Sequence, residues 1–153
     1  MNKVFNTPFE NSLRILLMLS IIKKPITADM VSALDFISLY GNSFKITDSN
    51  LHGENLSNFS EFTSRREIVA SSLKELVIKG LVVISNQLNG FCYAISKTGH
   101  DVATQLDTDY ATEYLACIRS ALSFAKDKTE KQLLSLINEY AVNALKHGGD
   151  NDK

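Results

Sequence analysis

Histidine, cysteine, tyrosine and clustered carboxylates are the side chains that could carry catalysis or hold a metal, and in this sequence they lie apart. His52, His100 and His147 fall in three unrelated segments, and no Cys/His spacing of the zinc-binding kind occurs. There is no phosphate-cradling glycine loop and no nucleophile elbow. His52 reads as a surface or turn histidine. His100-Asp101 opens a helix, where Asp101 complements the positive end of the helix dipole. Asp107 and Asp109 flank a helix boundary and read as caps. Tyr110 and Tyr114, four residues apart, read as packing on one helix face. Cys92 and Cys117 are isolated in apolar surroundings and read as buried free thiols of a reducing compartment, which points to the cytoplasm. Without a nucleophile, base and orienting group in one constellation, the reading is a non-enzyme that needs no cofactor and no metal.

Charge is the other chemistry on offer. The 153 residues hold 16 Lys and Arg against 17 Asp and Glu, a net charge of −1, which argues against a large phosphate-binding surface. Arg65 and Arg66 stand at a helix start, where cations oppose the macrodipole, so a carboxylate, a partner or a phosphate is expected beside them. Arg119, Lys126, Lys128 and Lys131 form a basic C-terminal region, either solvated charge or a modest, non-specific contact to DNA backbone. Apolar residues make up 44 % and charged residues 22 %, the balance of a globular protein, and the longest apolar run, Ile15 to Leu19, is far too short to span a bilayer. The first residues lack the apolar stretch of a signal peptide.

Local patterns say which elements position these groups. Thr7-Pro8-Phe9-Glu10 is a capping box with proline at the first helical position, and it opens a helix to about Ile22 that is apolar on nearly every side, hence central. Lys23-Lys24-Pro25 ends it. Thr27 caps a second helix to Gly41 with Met30, Leu34, Ile37 and Tyr40 inward. Asn42 to Phe62 has no clear periodicity, yet it carries Phe44, Leu51, Leu56 and Phe59, the pattern of a long docked loop. Ser64-Arg65-Arg66-Glu67 reads as a second capping box, opening a helix that Gly80 stops. Leu81–Ser85 and Phe91–Ile95 read as strands of a hairpin turned at Asn89-Gly90. Three further helices follow.

This order is that of a winged helix: a mainly α fold with one β-hairpin wing, a core over 1–107, a helical extension over 108–147 and a flexible tail over 148–153. The obvious function of such a fold is DNA recognition, and a winged-helix transcription regulator dimerising through its C-terminal helices is the alternative reading. Three features weigh against it. The segment before the third helix is far longer than the usual 3–4-residue turn. Glu67 and Glu75 offset two of that helix's cations. The wing tip, Asn86-Gln87-Leu88-Asn89-Gly90, has no Lys or Arg to grip phosphate.

Phe5-Asn6-Thr7-Pro8-Phe9-Glu10 with Leu13-Arg14-Ile15-Leu16, then Leu51-His52-Gly53, then Arg65-Arg66-Glu67-Ile68-Val69 running to Gly80-Leu81-Val82, together resemble the middle component of bacterial ABC three-component systems. This is the small accessory subunit of Lamassu-type anti-phage defence. The similarity covers Val4 to about Leu106, and Gly53 stands where proline is common after Leu-His. The resemblance implies a non-catalytic subunit that bridges an SMC-like ABC ATPase and an effector nuclease, restraining or positioning the effector until foreign DNA is sensed. The partner surface expected on this reading is Phe44, Leu51, His52, Phe59, Arg65 and Arg66. The aromatic and Arg side chains among them are common interface anchors.

Overall fold

The computed structural model describes residues 7–46 and 62–151. Among these are six α-helices and a three-stranded antiparallel sheet: α1 Pro8–Ile21, β1 Ile26–Thr27, α2 Ala28–Leu39, α3 Phe62–Ile78, β2 Val82–Gln87, β3 Gly90–Ile95, α4 Lys97–Thr104, α5 Asp109–Ala125 and α6 Glu130–Asn151. The fold is mainly helical and winged-helix-like. Thr7 caps α1 as its sequence implies, its hydroxyl accepting the Glu10 amide at 3.1 Å. Ile15, Leu16, Leu17, Met18 and Leu19 are all buried, so α1 is central. Full burial of an aliphatic side chain contributes about 1.5–3 kcal/mol. Helix α2 is buried along almost its whole length, from Val31 to Leu39.

Strand β1 is an element that periodicity could not reveal. It has two residues and pairs with β3 through Ile26 opposite Tyr93 and Thr27 opposite Cys92. Thr27 also caps α2, accepting the Met30 amide at 3.1 Å, and its hydroxyl donates to Glu130 at the start of α6. The sheet order is β1-β3-β2, which leaves β2 at an edge. Helix α3 begins at Phe62, two residues before the expected start, and the Phe62 ring packs edge-on to Phe36 at 5.2 Å. Ser64 therefore sits inside the first turn of α3 rather than capping it. The start of α6 holds a capping box, Thr129-Glu130-Lys131-Gln132. The Thr129 hydroxyl accepts the Gln132 amide at 3.1 Å, and the Gln132 side chain accepts the Thr129 amide at 2.8 Å.

The hairpin hangs on two glycines. Gly80 takes a positive φ of 76° and ends α3 in a Schellman motif, Leu81 N–H to Leu76 carbonyl at 2.9 Å and Gly80 N–H to Val77 carbonyl at 3.0 Å. The wing turns at Leu88-Asn89, one residue earlier than the Asn-Gly signal implies, because Gly90 (φ 104°) already pairs with Gln87. Ser96 then caps α4 through the Gly99 amide and donates to the Gly80 carbonyl at 2.7 Å, closing the base of the wing. A Cβ on Gly99 would lie 2.0 Å from the Leu81 carbonyl oxygen, so α4 and the wing base meet backbone to backbone. Gly99→Ala should therefore cost about 2–4 kcal/mol. Gly80→Ala, strained only by its φ, should cost about 1–2 kcal/mol. Denaturant melts that ranked the two in the reverse order would contradict this packing.

Candidate partner-binding site

The innermost polar group lies where α1, α2, α3 and α5 meet. Arg14 comes from the otherwise apolar face of α1, is 1 % exposed, and donates Nε to Asp35 Oδ1 at 3.0 Å and Nη2 to Oδ2 at 3.4 Å. The Tyr114 hydroxyl of α5 donates to Asp35 Oδ1 at 2.7 Å. Asn11 accepts from Arg14, and the Tyr110 hydroxyl accepts from Arg14 Nη1 at 3.5 Å. Arg65 enters from α3, its Nη2 3.8 Å from Asp35 Oδ2, with a side chain 12 % exposed.

Burial alone would raise the pKa of Asp35. The Arg14 and Arg65 guanidinium groups and the hydrogen bonds from Arg14 and Tyr114 outweigh it and hold the carboxyl below its usual value. Burial works against the charge on Arg14 too, but Asp35 and the two tyrosines hold it firmly protonated. Burial pushes Tyr110 up to about 12, and burial with Asp35 pushes Tyr114 well up, so both phenols stay protonated, Tyr114 donating to Asp35 and Tyr110 accepting from Arg14. Burial, with Glu113 nearby, also raises the Cys117 thiol. Charge compensation here is internal. The arrangement orders four helices.

The expected site residues fall into three groups. Leu51, His52 and Phe59 lie outside the described residues, as do Asp48 and Glu54, the loop carboxylates that could pair with Arg66. Phe44 and Arg65 are turned inward. The Phe44 ring is half-buried, 5.1 Å from Tyr140 and 6.3 Å from Phe36, and Arg65 sits on Asp35. Arg66 stays on the surface, 43 % exposed, and meets Asp29 of α2 through Nε at 3.1 Å and Nη2 at 2.8 Å. Asp29 is the carboxylate that the unfavourable position of Arg66 calls for. In the C-terminal basic region, Arg119, Lys126 and Lys131 are exposed. Lys128 folds back, donating to the Phe124 carbonyl at 2.8 Å and pairing with Asp127 at 3.1 Å.

A surface that the sequence reading did not single out is the wing itself. Val83, Ile84, Leu88 and Phe91 are exposed, with Ile78 beside them at the end of α3. From Leu81 to Ser96 there is no charged residue and no proline. The outer side of β2 has no strand against it among the described residues. Edge strands are commonly guarded by charge, proline or a bulge, and this one has neither charge nor proline. Its signal was apolar residues on both faces of a two-stranded ribbon.

A family model described as ABC-three component (ABC-3C) system Middle Component 2 matches residues 4–147. The chain belongs to this family. No curated protein and no solved structure matches it. A middle component works within a multi-component system, so this Middle Component 2 protein has protein partners. No helix among the described residues is long and apolar enough to cross a membrane, and no group of three His, Cys, Asp or Glu among them could hold a metal ion.

Removing one member of a buried pair leaves the other charge stranded, at a cost of about 3–5 kcal/mol. Asp35→Asn should lose stability on that scale in a urea melt at neutral pH. Because the folded carboxyl is held below its usual value, Asp35 stabilises the fold fully at neutral pH. That contribution fades as pH falls below about 4 toward the depressed folded value. The wild type should lose this increment on acidification while Asp35→Asn does not. Parallel acid-stability profiles would contradict the assignment.

Proposed function

We propose that this protein is a non-catalytic, cytoplasmic accessory subunit of a Lamassu-type anti-phage system. It docks on an SMC-like ABC ATPase and helps restrain or position an effector nuclease until foreign DNA is sensed. Membership of the middle-component family supports the subunit role. The observation that carries the docking role is the uncharged, apolar wing: where a DNA-binding winged helix needs cations for phosphate, this one offers Ile84, Leu88 and Phe91 and an open strand edge. Exposed apolar side chains beside an open strand edge commonly mark a protein interface. The proposed surface also includes exposed Arg66 and the segment bearing Leu51, His52 and Phe59.

Two variants test this on one preparation each. Leu88→Asp with Phe91→Asp changes side chains that are exposed in the isolated protein, so the melting temperature should hardly move, within about 0.5 kcal/mol of stability. Its yield in co-purification with the ATPase should collapse. Arg66→Glu breaks an exposed pair worth about 0–1 kcal/mol and should also reduce the yield while the protein stays folded. Reversing Arg65 would place a new carboxylate beside Asp35 and unsettle the core, so it is no clean probe of binding. Full co-purification of both folded variants would overturn the docking reading.

A further inference from the structure

A second surface lies where the chain after α1 meets the turn between α5 and α6. A cavity of about 280 Å³ opens there, floored by apolar side chains that include Ile26, Met30 and Leu122 and bordered by Lys24, Lys126 and Lys128, with no carboxylate in its lining. It continues into a second cavity of about 260 Å³ through shared Lys24, Ile26 and Met30, and this one reaches Asn89 at the wing turn and is also lined by Glu130, whose carboxylate already accepts the Thr27 hydroxyl. Lys128 is spoken for by Asp127 and the Phe124 carbonyl, and its ammonium lies 4.1 Å from the Phe124 ring centre. Lys24 and Lys126 are exposed and form no ion pair among the described residues. In a chain of net charge −1, this puts two unpaired cations on either side of an apolar floor.

We infer that this trough is a docking site for an acidic peptide segment of a partner protein, one that sets an apolar side chain on Ile26, Met30 and Leu122 and carboxylates against Lys24 and Lys126. The proposal builds on the accessory-subunit reading and adds the chemistry of the partner. Charge selects the occupant: in the first cavity lysines face solvent across a lining without carboxylates, which favours an anion there, while Glu130 lines only the second cavity. The floor selects between anions. A phosphate backbone has no use for a concave apolar surface, whereas a peptide alternating carboxylate and aliphatic side chains fits both rim and floor. The opening toward the wing turn leaves room for an extended segment.

Fluorescence anisotropy on the isolated full-length protein tests it, with three labelled probes at physiological salt. These are a short peptide alternating aspartate and leucine, its aspartate–serine counterpart, and a DNA duplex. The aspartate–leucine peptide should bind most tightly, and Lys24→Glu with Lys126→Glu should weaken it about tenfold while the melting temperature holds. Equal binding of the aspartate–serine peptide would remove the apolar floor from the account. Tighter binding of the duplex would reassign the trough to nucleic acid, and an unaffected double variant would overturn the site. The assay contains no other component of the system, so its failure is separate from failure of the co-purification test above.

Discussion

The Arg14–Asp35 pair is the constraint on which the helical arrangement depends. A guanidinium and a carboxylate so deeply buried are costly to desolvate, and apolar residues of the same volume would commonly stabilise a core as well or better. What the pair adds is register. Asp35 takes hydrogen bonds from Arg14 of α1 and Tyr114 of α5, and Arg65 of α3 closes on its far oxygen. Sliding any of these helices by one turn would leave a charge or a hydroxyl buried without its partner. The surrounding apolar core, in which α5 contributes Tyr114, Ile118 and Ala121 and α6 contributes Leu133 and Ile137, supplies cohesion but little of that specificity.

The surfaces inherit their positions from this centre. Helix α3 is held by Arg65 at its start and Leu73 and Leu76 farther along, so its C-terminus at Gly80 delivers the wing in a defined place. The backbone contact between Gly99 and Leu81 then sets the wing against α4. The C-terminal helices do similar work on the other side. The bond from Thr27 to Glu130 ties the start of α6 to β1 and α2, and the lysine-rimmed trough opens at that seam.

Much of this was legible in the residue order because the signals were local. The Thr7 cap, Pro8 at the first turn of α1, Gly80 after α3 and the wing glycine each encode a backbone conformation within four residues. What escaped depends on partners far along the chain. Strand β1 exists only through its pairing with β3, 67 residues on by the Ile26–Tyr93 register. Ser64-x-x-Glu67 had the form of a capping box, but packing of Phe62 on Phe36 draws the helix start upstream. Arg14 and Asp35 did carry a signal, a charged residue past the first turn of each of two largely apolar helices, although nothing local said that they face each other. The same holds for Arg65 and Arg66. Adjacent in sequence, they point to different destinations, one to the core and one to the surface, and only the fold decides which.

On the proposed function, the wing is a protein-docking element. Hydrogen–deuterium exchange on this protein, free and then assembled with the proposed ATPase partner, reads it directly. The account predicts that amides of Val82 to Phe91, above all those on the outer side of β2, exchange more slowly in the assembly. It also predicts that amides of the Arg14–Asp35 helices are slow in both states, since that network is already closed in the isolated protein. A wing whose exchange is the same in the free and assembled protein would contradict it.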